Sequence, residues 1–215
     1  NMATMLACVL TDAALEIEDA QRLLSASVNQ SFNCISVEGH TSTNDTLLLM
    51  ANGKATGTAL ADDDLKTFAE ELTSALIELA KMIPADGEGA THLMEITVSG
   101  AVDEADARKV ANSVGASNLV KTCVAGADPN WGRIVSAAGY SGVDFDPKEL
   151  QLKLNGFLLF QNETPIKFED AEVSSSMQNT FVTNIELVVG RGAGQATIWS
   201  SDLTCAYVKF NSDYH

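Results

Sequence analysis

"DDDLKTFAEELTSALIELAKMIPADGEGATHLMEITVSGA" (residues 62–101) decides the fold class, because its hydrophobic period changes halfway along. Asp62, Asp63 and Asp64 open it, where negative charge suits the start of a helix. Phe68, Leu72, Leu76, Ile77 and Leu79 then recur at helical spacing. The spacing predicts an amphipathic helix from Asp62 to Met82, with Pro84 just past its end. "ADGEGA" (85–90) reads as a turn, and "THLMEITVSGA" (91–101) alternates with the period of a strand. A long helix, a tight turn and a strand in succession point to a mixed α/β or α+β chain.

The flanking sequence continues the mixture. Ala3 to Leu10 reads as a short buried strand, followed by a helix with Asp12 as its cap and Leu15, Ile17, Leu23 and Leu24 on its apolar side. "SFNCISV" (31–37) alternates like a strand, "EGHTSTND" (38–45) is a polar loop, and "TLLLMANG" (46–53) is an apolar run stopped by Asn52-Gly53. "DEADARKVANSVG" (103–115) is a helix closed by Gly115. "NLVKTCVAG" (118–126) is a buried apolar run, and "ADPNWGRIVSAAGYSG" (127–142) a loop leading into a small-residue helix or strand. "LQLKLNGFLLFQN" (150–162) reads as a hairpin turning at Asn155-Gly156. "NIELVVGRGAGQATIWSSD" (184–202) reads as strand, glycine turn and strand, with "GRGAGQ" as a hairpin turn. The softest boundary, Pro84–Ala90, divides residues 1–90 from residues 91–215.

Charge and composition narrow the function. Of 215 residues, 13 are basic and 29 acidic, a net charge of −16 that opposes phosphate backbones and argues against nucleic acid. No stretch reaches the roughly 18 apolar residues of a membrane span, and no secretory pattern is visible. Cys8, Cys34, Cys123 and Cys205 lie far apart, without metal-ligand spacing; the first three read as buried free thiols, which suits a reducing, cytoplasmic compartment. "GRGAGQ" lacks the spacing of a dinucleotide fingerprint, so no nucleotide cofactor is implied. His40, His92 and His215 suggest no catalytic triad. Trp131 in "DPNWGR" (128–133) is either a ligand clamp or, more simply, a packed loop anchor. Glu88 sits between two glycines that let the backbone approach something closely; on the residues alone it is a turn acid.

Thr4 by itself is a strand residue. Its hydroxyl becomes a nucleophile only when a base adjoins it, and a freed α-amine, with a pKa of about 8, is such a base. That requires scission of the Ala3-Thr4 bond.

"NMATMLACVLTDA", "SFNCISVEGHTSTNDTLLLMANG", "GEGATHLMEI", "GADPNWGRI" and "DLTCAYVKFNSDYH" together resemble the β chain of the glutamate N-acetyltransferase/ornithine acetyltransferase family of arginine biosynthesis. The resemblance runs in order along essentially the whole chain. It implies a precursor that cleaves itself between Ala3 and Thr4, leaving Thr4 as nucleophile and substrate contact, with Asn1-Met2-Ala3 the end of the α chain. It also implies that Glu88 and Asn211 bind substrate. A further substrate residue would fall just after His215, and oxyanion donors and a substrate lysine would come from the α chain. The implied reaction is ping-pong acetyl transfer from N2-acetylornithine to glutamate through an acetyl-threonine. No metal or organic cofactor is needed, although some members also accept acetyl-CoA as donor. The implied fold is packed sheets flanked by helices. Residues 1–90 form a catalytic core portion shared with the α chain, and residues 91–215 a smaller C-terminal α/β domain. The implied assembly is an α2β2 heterotetramer. Two rivals stand beside this reading: a self-processing N-terminal-nucleophile aminopeptidase or amidase, and an unprocessed, inactive precursor subunit.

Overall fold

The computed structural model describes residues 5–55 and 57–213. Ala3, Thr4 and His215 therefore lie outside the described residues. The chain forms two compact units, Asn1–Ile35 with Gly39–Ile83, and Ser36–Glu38 with Pro84–His215.

The first unit holds β1 (Leu6–Thr11), α1 (Ile17–Asn29), β3 (Thr46–Ala51) and most of α2 (Asp62–Ala85), with β2 (Ile35–Ser36) at the passage into the second. β1 and β3 pair in parallel, Cys8 opposite Leu48 and Leu10 opposite Met50. Leu24 of α1 faces Leu49 and Ala51 of β3 across a cavity of about 300 Å³. Ser27 Oγ and Thr73 Oγ1, 2.8 Å apart, join α1 to α2. The opposite sheet face is bare: Leu6 and Leu10 are 75% and 72% exposed, Leu48 and Met50 50% and 52%. The expected buried strand is thus covered on one face only, and Cys8 is exposed with its neighbours Leu6 and Leu10. A strand's two faces alternate, and two strands cannot wrap a core around both.

Three other expectations change here. Asp12 does not cap α1; the helix starts after Glu16, which makes no side-chain cap bond. The carbonyls of Asp12, Ala13 and Ala14 instead accept from Ala55, Gly53 and Leu60, holding that stretch extended. Residues 32–34 form a turn of 3-10 helix, leaving only Ile35–Ser36 as strand. Pro84 lies inside α2, in its last turn, where a missing N–H costs one bond and the chain runs on helically to Ala85.

The second unit is built on a seven-stranded sheet in the order β2-β9-β4-β8-β5-β6-β7. Its further elements are β4 (Leu93–Ala101), α3 (Glu104–Ala116), α4 (Asn118–Ala125), α5 (Trp131–Gly139), β5 (Gln151–Leu154), β6 (Phe157–Gln161), β7 (Thr164–Pro165), α6 (Asp170–Gln178), β8 (Val182–Val188), β9 (Gly194–Ser201) and α7 (Cys205–Ser212). Met94, Ile96 and Val98 of the central β4 are fully buried, with Ile185, Leu187 and Ile198 of its neighbours. α3 packs on β4 and β9. Gly115 lies within that helix rather than closing it, and a Cβ there would stand 3.1 Å from Ile96 Cδ1, so the glycine serves packing against β4. Ser117 ends the helix and caps α4 in the same step. α6 was not legible as a helix in the sequence.

The 155–156 turn is a hairpin with φ of +48° at Asn155 and +83° at Gly156, as two-residue primed turns require. "GRGAGQ" is not a hairpin. β4 lies between β8, its parallel neighbour, and β9, its antiparallel one, so the glycines carry the chain across the end of β4. A Cβ on Gly192 would lie 1.9 Å from the Ala101 carbonyl oxygen, and one on Gly194 2.1 Å from that of Asp103. Backbone meets backbone there, so no side chain can swing aside. Gly192→Ala is expected to cost about 3 kcal/mol or more, read as a lowered denaturation midpoint.

Candidate active site

Two of the expected site residues meet in the second unit. Glu88 stands on the turn that leads into β4, and Asn211 on α7, 123 residues away in sequence. Asn211 Nδ2 donates to Glu88 Oε2 at 2.7 Å and to its own helix at Tyr207 O, 3.0 Å. Both side chains are exposed, so the carboxylate–amide pair faces solvent.

The pair exists because turn and helix touch at backbone distance. Gly89 has φ +67°, and a Cβ on it would lie 2.7 Å from Ala206 Cβ and 2.8 Å from Tyr207 N. Only glycine fits both conditions. Thr204 fastens the contact: its hydroxyl donates to Gly89 O at 2.7 Å and accepts from Tyr207 N at 3.4 Å, capping α7. Asp202, 3% exposed, takes the Thr91 backbone N–H at 2.9 Å and the Thr91 hydroxyl at 2.5 Å. Its own N–H donates to His92 O at 3.1 Å. The link of residues 202–204 thus supports the turn bearing Glu88 and starts the helix bearing Asn211.

Thr91, His92 and Asp202 look like a catalytic trio and are not arranged as one. His92 Nδ1 is 2.9 Å from Thr91 Oγ1 and 3.4 Å from Asp202 Oδ2. A general base that is also oriented needs its two ring nitrogens to face different partners. His40 is exposed on its loop.

Charge around the pair is mostly negative. Burial raises the Tyr207 hydroxyl above the usual phenol range, and Glu38 and Glu88 push it further the same way. Lys121, 4% exposed, is the opposing group. Burial lowers its ammonium below the usual lysine range, while Glu38 and Asp202 act against that shift. An exposed carboxylate beside an amide, among further acids, suits an ammonium ligand. Among the described residues no three His, Cys, Asp or Glu side chains are grouped to hold a metal, and no helix is long and apolar enough to cross a membrane.

In the first unit, Met5, the residue after Thr4, is pinned on both sides: its N–H donates to Asp45 Oδ1 at 2.9 Å and its carbonyl accepts from Thr46 N at 2.8 Å. "DPNWGR" is packed in part, and Asp128, Pro129, Asn130 and Trp131 also line a cavity of about 540 Å³. Trp131 stacks on Phe160 with centroids 5.3 Å apart, and Arg133 Nη1 reaches Leu119 O and Cys123 Sγ of α4 at 3.3 and 3.2 Å. Sequence reasoning passed over Lys121, Asp202, Thr204 and Asp45. Lys121 did leave a signal, as the one charge within the apolar run "NLVKTCVAG".

A model of the ArgJ family matches residues 1–215. An arginine biosynthesis bifunctional protein ArgJ of Rhodopirellula baltica is 47% identical over 217 residues, covering 100% of this chain and 53% of that protein. One of Nitratidesulfovibrio vulgaris is 46% identical, with 100% and 54% covered. The crystal structure of the arginine biosynthesis bifunctional protein argJ from Bacillus halodurans superposes with a TM-score of 0.94 at 38% identity, over 98% of this chain and 100% of that one. The chain thus spans about half the length of the curated relatives it matches.

Proposed function

Because the chain belongs to the ArgJ family, we propose that it is the nucleophile-bearing β chain of an ornithine acetyltransferase acting in cytoplasmic arginine biosynthesis. The observation that carries this reading is the pairing of Glu88 with Asn211 at 2.7 Å, within a chain matched by the family along its length. Residues 1–90 carry the nucleophile and end on the turn that bears Glu88, and residues 91–215 form the domain that brings Asn211 to it.

Scission of the Ala3-Thr4 bond frees the Thr4 amine. That amine takes the proton of Thr4 Oγ as the oxygen attacks the acetyl carbonyl of N2-acetylornithine. Donors from the α chain hold the oxyanion. The C–N bond breaks, the leaving amine takes the proton, and ornithine departs, leaving acetyl on Oγ. The amine of glutamate attacks this ester, and N-acetylglutamate leaves as Oγ regains its proton. Glu88, oriented by Asn211, binds the ammonium of ornithine. Co-expressed chains should move label from acetylornithine to glutamate; labelled acetate as the main product would favour the amidase instead.

The α chain covers the bare face of β1 and β3. Its apolar row (Leu6, Leu10, Leu48 and Met50) is too long to stand in water beside a sheet of two strands. This supports the shared core of an α2β2 assembly. Leu48→Asp should weaken association roughly 100-fold, since an unpaired carboxylate buried there costs several kcal/mol. Size-exclusion chromatography of the co-expressed chains reads the result.

A further inference from the structure

We propose that Lys121 is a positioning residue of the amino-group site: through the 201–204 link, it sets the geometry of Glu88 against Asn211. The inference rests on the assignment of those two residues to substrate binding.

Lys121 grips that link twice. Its backbone carbonyl, in α4, accepts from Leu203 N at 3.3 Å, and its ammonium reaches Ser201 Oγ at 3.5 Å. The same ammonium donates to Val37 O, holding the segment that carries Glu38. The two residues after Ser201 and Leu203 do the supporting. Asp202 receives Thr91, just beyond the turn, and Thr204 both donates to Gly89 O and starts α7. One side of the link holds the turn of Glu88, the other the helix of Asn211. Ser201, Asp202 and Lys121 are each 4% exposed or less, so the support is rigid while the pair it carries is exposed.

A buried ammonium is costly and is held by the partners around it. Lys121→Met removes the charge, keeps much of the stem, and leaves Val37 O and Ser201 Oγ without their shared donor. The turn and α7 then lose the side-chain half of their common anchor, while the backbone bond from Leu203 N to the carbonyl of residue 121 stays. A displacement of about 1 Å in a substrate-positioning group can cost 100-fold.

The test compares four assembled two-chain enzymes: wild type, Lys121→Met, Glu88→Gln and the double variant, with acetylornithine as donor. Lys121→Met is expected to raise KM roughly 10-fold or more with kcat within about 3-fold. Because the lysine acts through Glu88, the double variant should be no worse than Glu88→Gln alone. Additive losses, or an unchanged KM in Lys121→Met, overturn the proposal. If Glu88→Gln leaves KM unchanged while Lys121→Met raises it, the substrate reading of Glu88 fails and this role of Lys121 falls with it. Should Lys121→Met not assemble, Ser201→Ala removes one acceptor and no charge. It should raise KM about 3-fold, an effect absent in the Glu88→Gln background; kinetics equal to wild type overturn the proposal.

Discussion

Thr4→Ala is expected to abolish acetyl transfer, by roughly 10⁴-fold or more, and to leave the Ala3-Thr4 bond uncut. Both losses come from one hydroxyl. On the proposed mechanism it attacks its own preceding carbonyl in the precursor and the acetyl group in the processed chain. Alanine offers neither. Among the described residues, Thr91 has its hydroxyl beside a histidine, and it is committed to Asp202 at 2.5 Å. Thr4→Ser keeps an oxygen at the same place and should retain cleavage and measurable transfer. Intact mass reads the cleavage, and a label-transfer assay reads the activity. Full activity in Thr4→Ala removes the threonine from the chemistry.

Glu88→Gln carries the second large effect. A charge-assisted contact to an ammonium is roughly twice as strong as a neutral one. Replacing the carboxylate by an amide should lower kcat/KM for acetylornithine by roughly 10- to 100-fold, chiefly through KM. Asn211 already donates to this carboxylate, so Asn211→Ala should act in the same direction and less strongly, as it misorients the acid without removing its charge. The comparison substrate is an acetylated amino acid without a side-chain amine. Its kcat/KM should change by less than about 3-fold in Glu88→Gln. An equal loss for both substrates would mean that the glutamate shapes the site and does not select the amine.

The sequence carries these two residues unequally. Glu88 stands out because glycines flank it, though on the residues alone it reads as a turn acid and the family resemblance gives it a role. The reason for the glycine after it is now physical, since Gly89 lies against α7 at a distance no Cβ allows. Asn211 has no local signal, since its partner is 123 residues away and no periodicity encodes that pairing. The family resemblance supplied it. The long helix, the 155–156 hairpin and the mixed α/β order were legible, because they depend on spacing and turn chemistry within a few residues. The errors have a common source in tertiary contact. Gly115 looked like a helix stop and is a packing glycine. "GRGAGQ" looked like a hairpin and is a crossover, because a third strand, β4, inserts between its two arms. Cys8 looked buried because an apolar run reads as a strand covered on both faces, and here the face of Cys8 is exposed. The buried Lys121 is the reverse case, a charge that composition places at the surface and two acceptors, Val37 O and Ser201 Oγ, hold inside.

The most direct measurement is mass spectrometry of working two-chain enzyme, quenched in acid after mixing with acetylornithine in the absence of glutamate. The account predicts a β chain beginning at Thr4, carrying one acetyl group that maps to the threonine oxygen and disappears when glutamate is added. An active enzyme with the Ala3-Thr4 bond intact, or one that turns over with no acetyl group on Thr4, would contradict it.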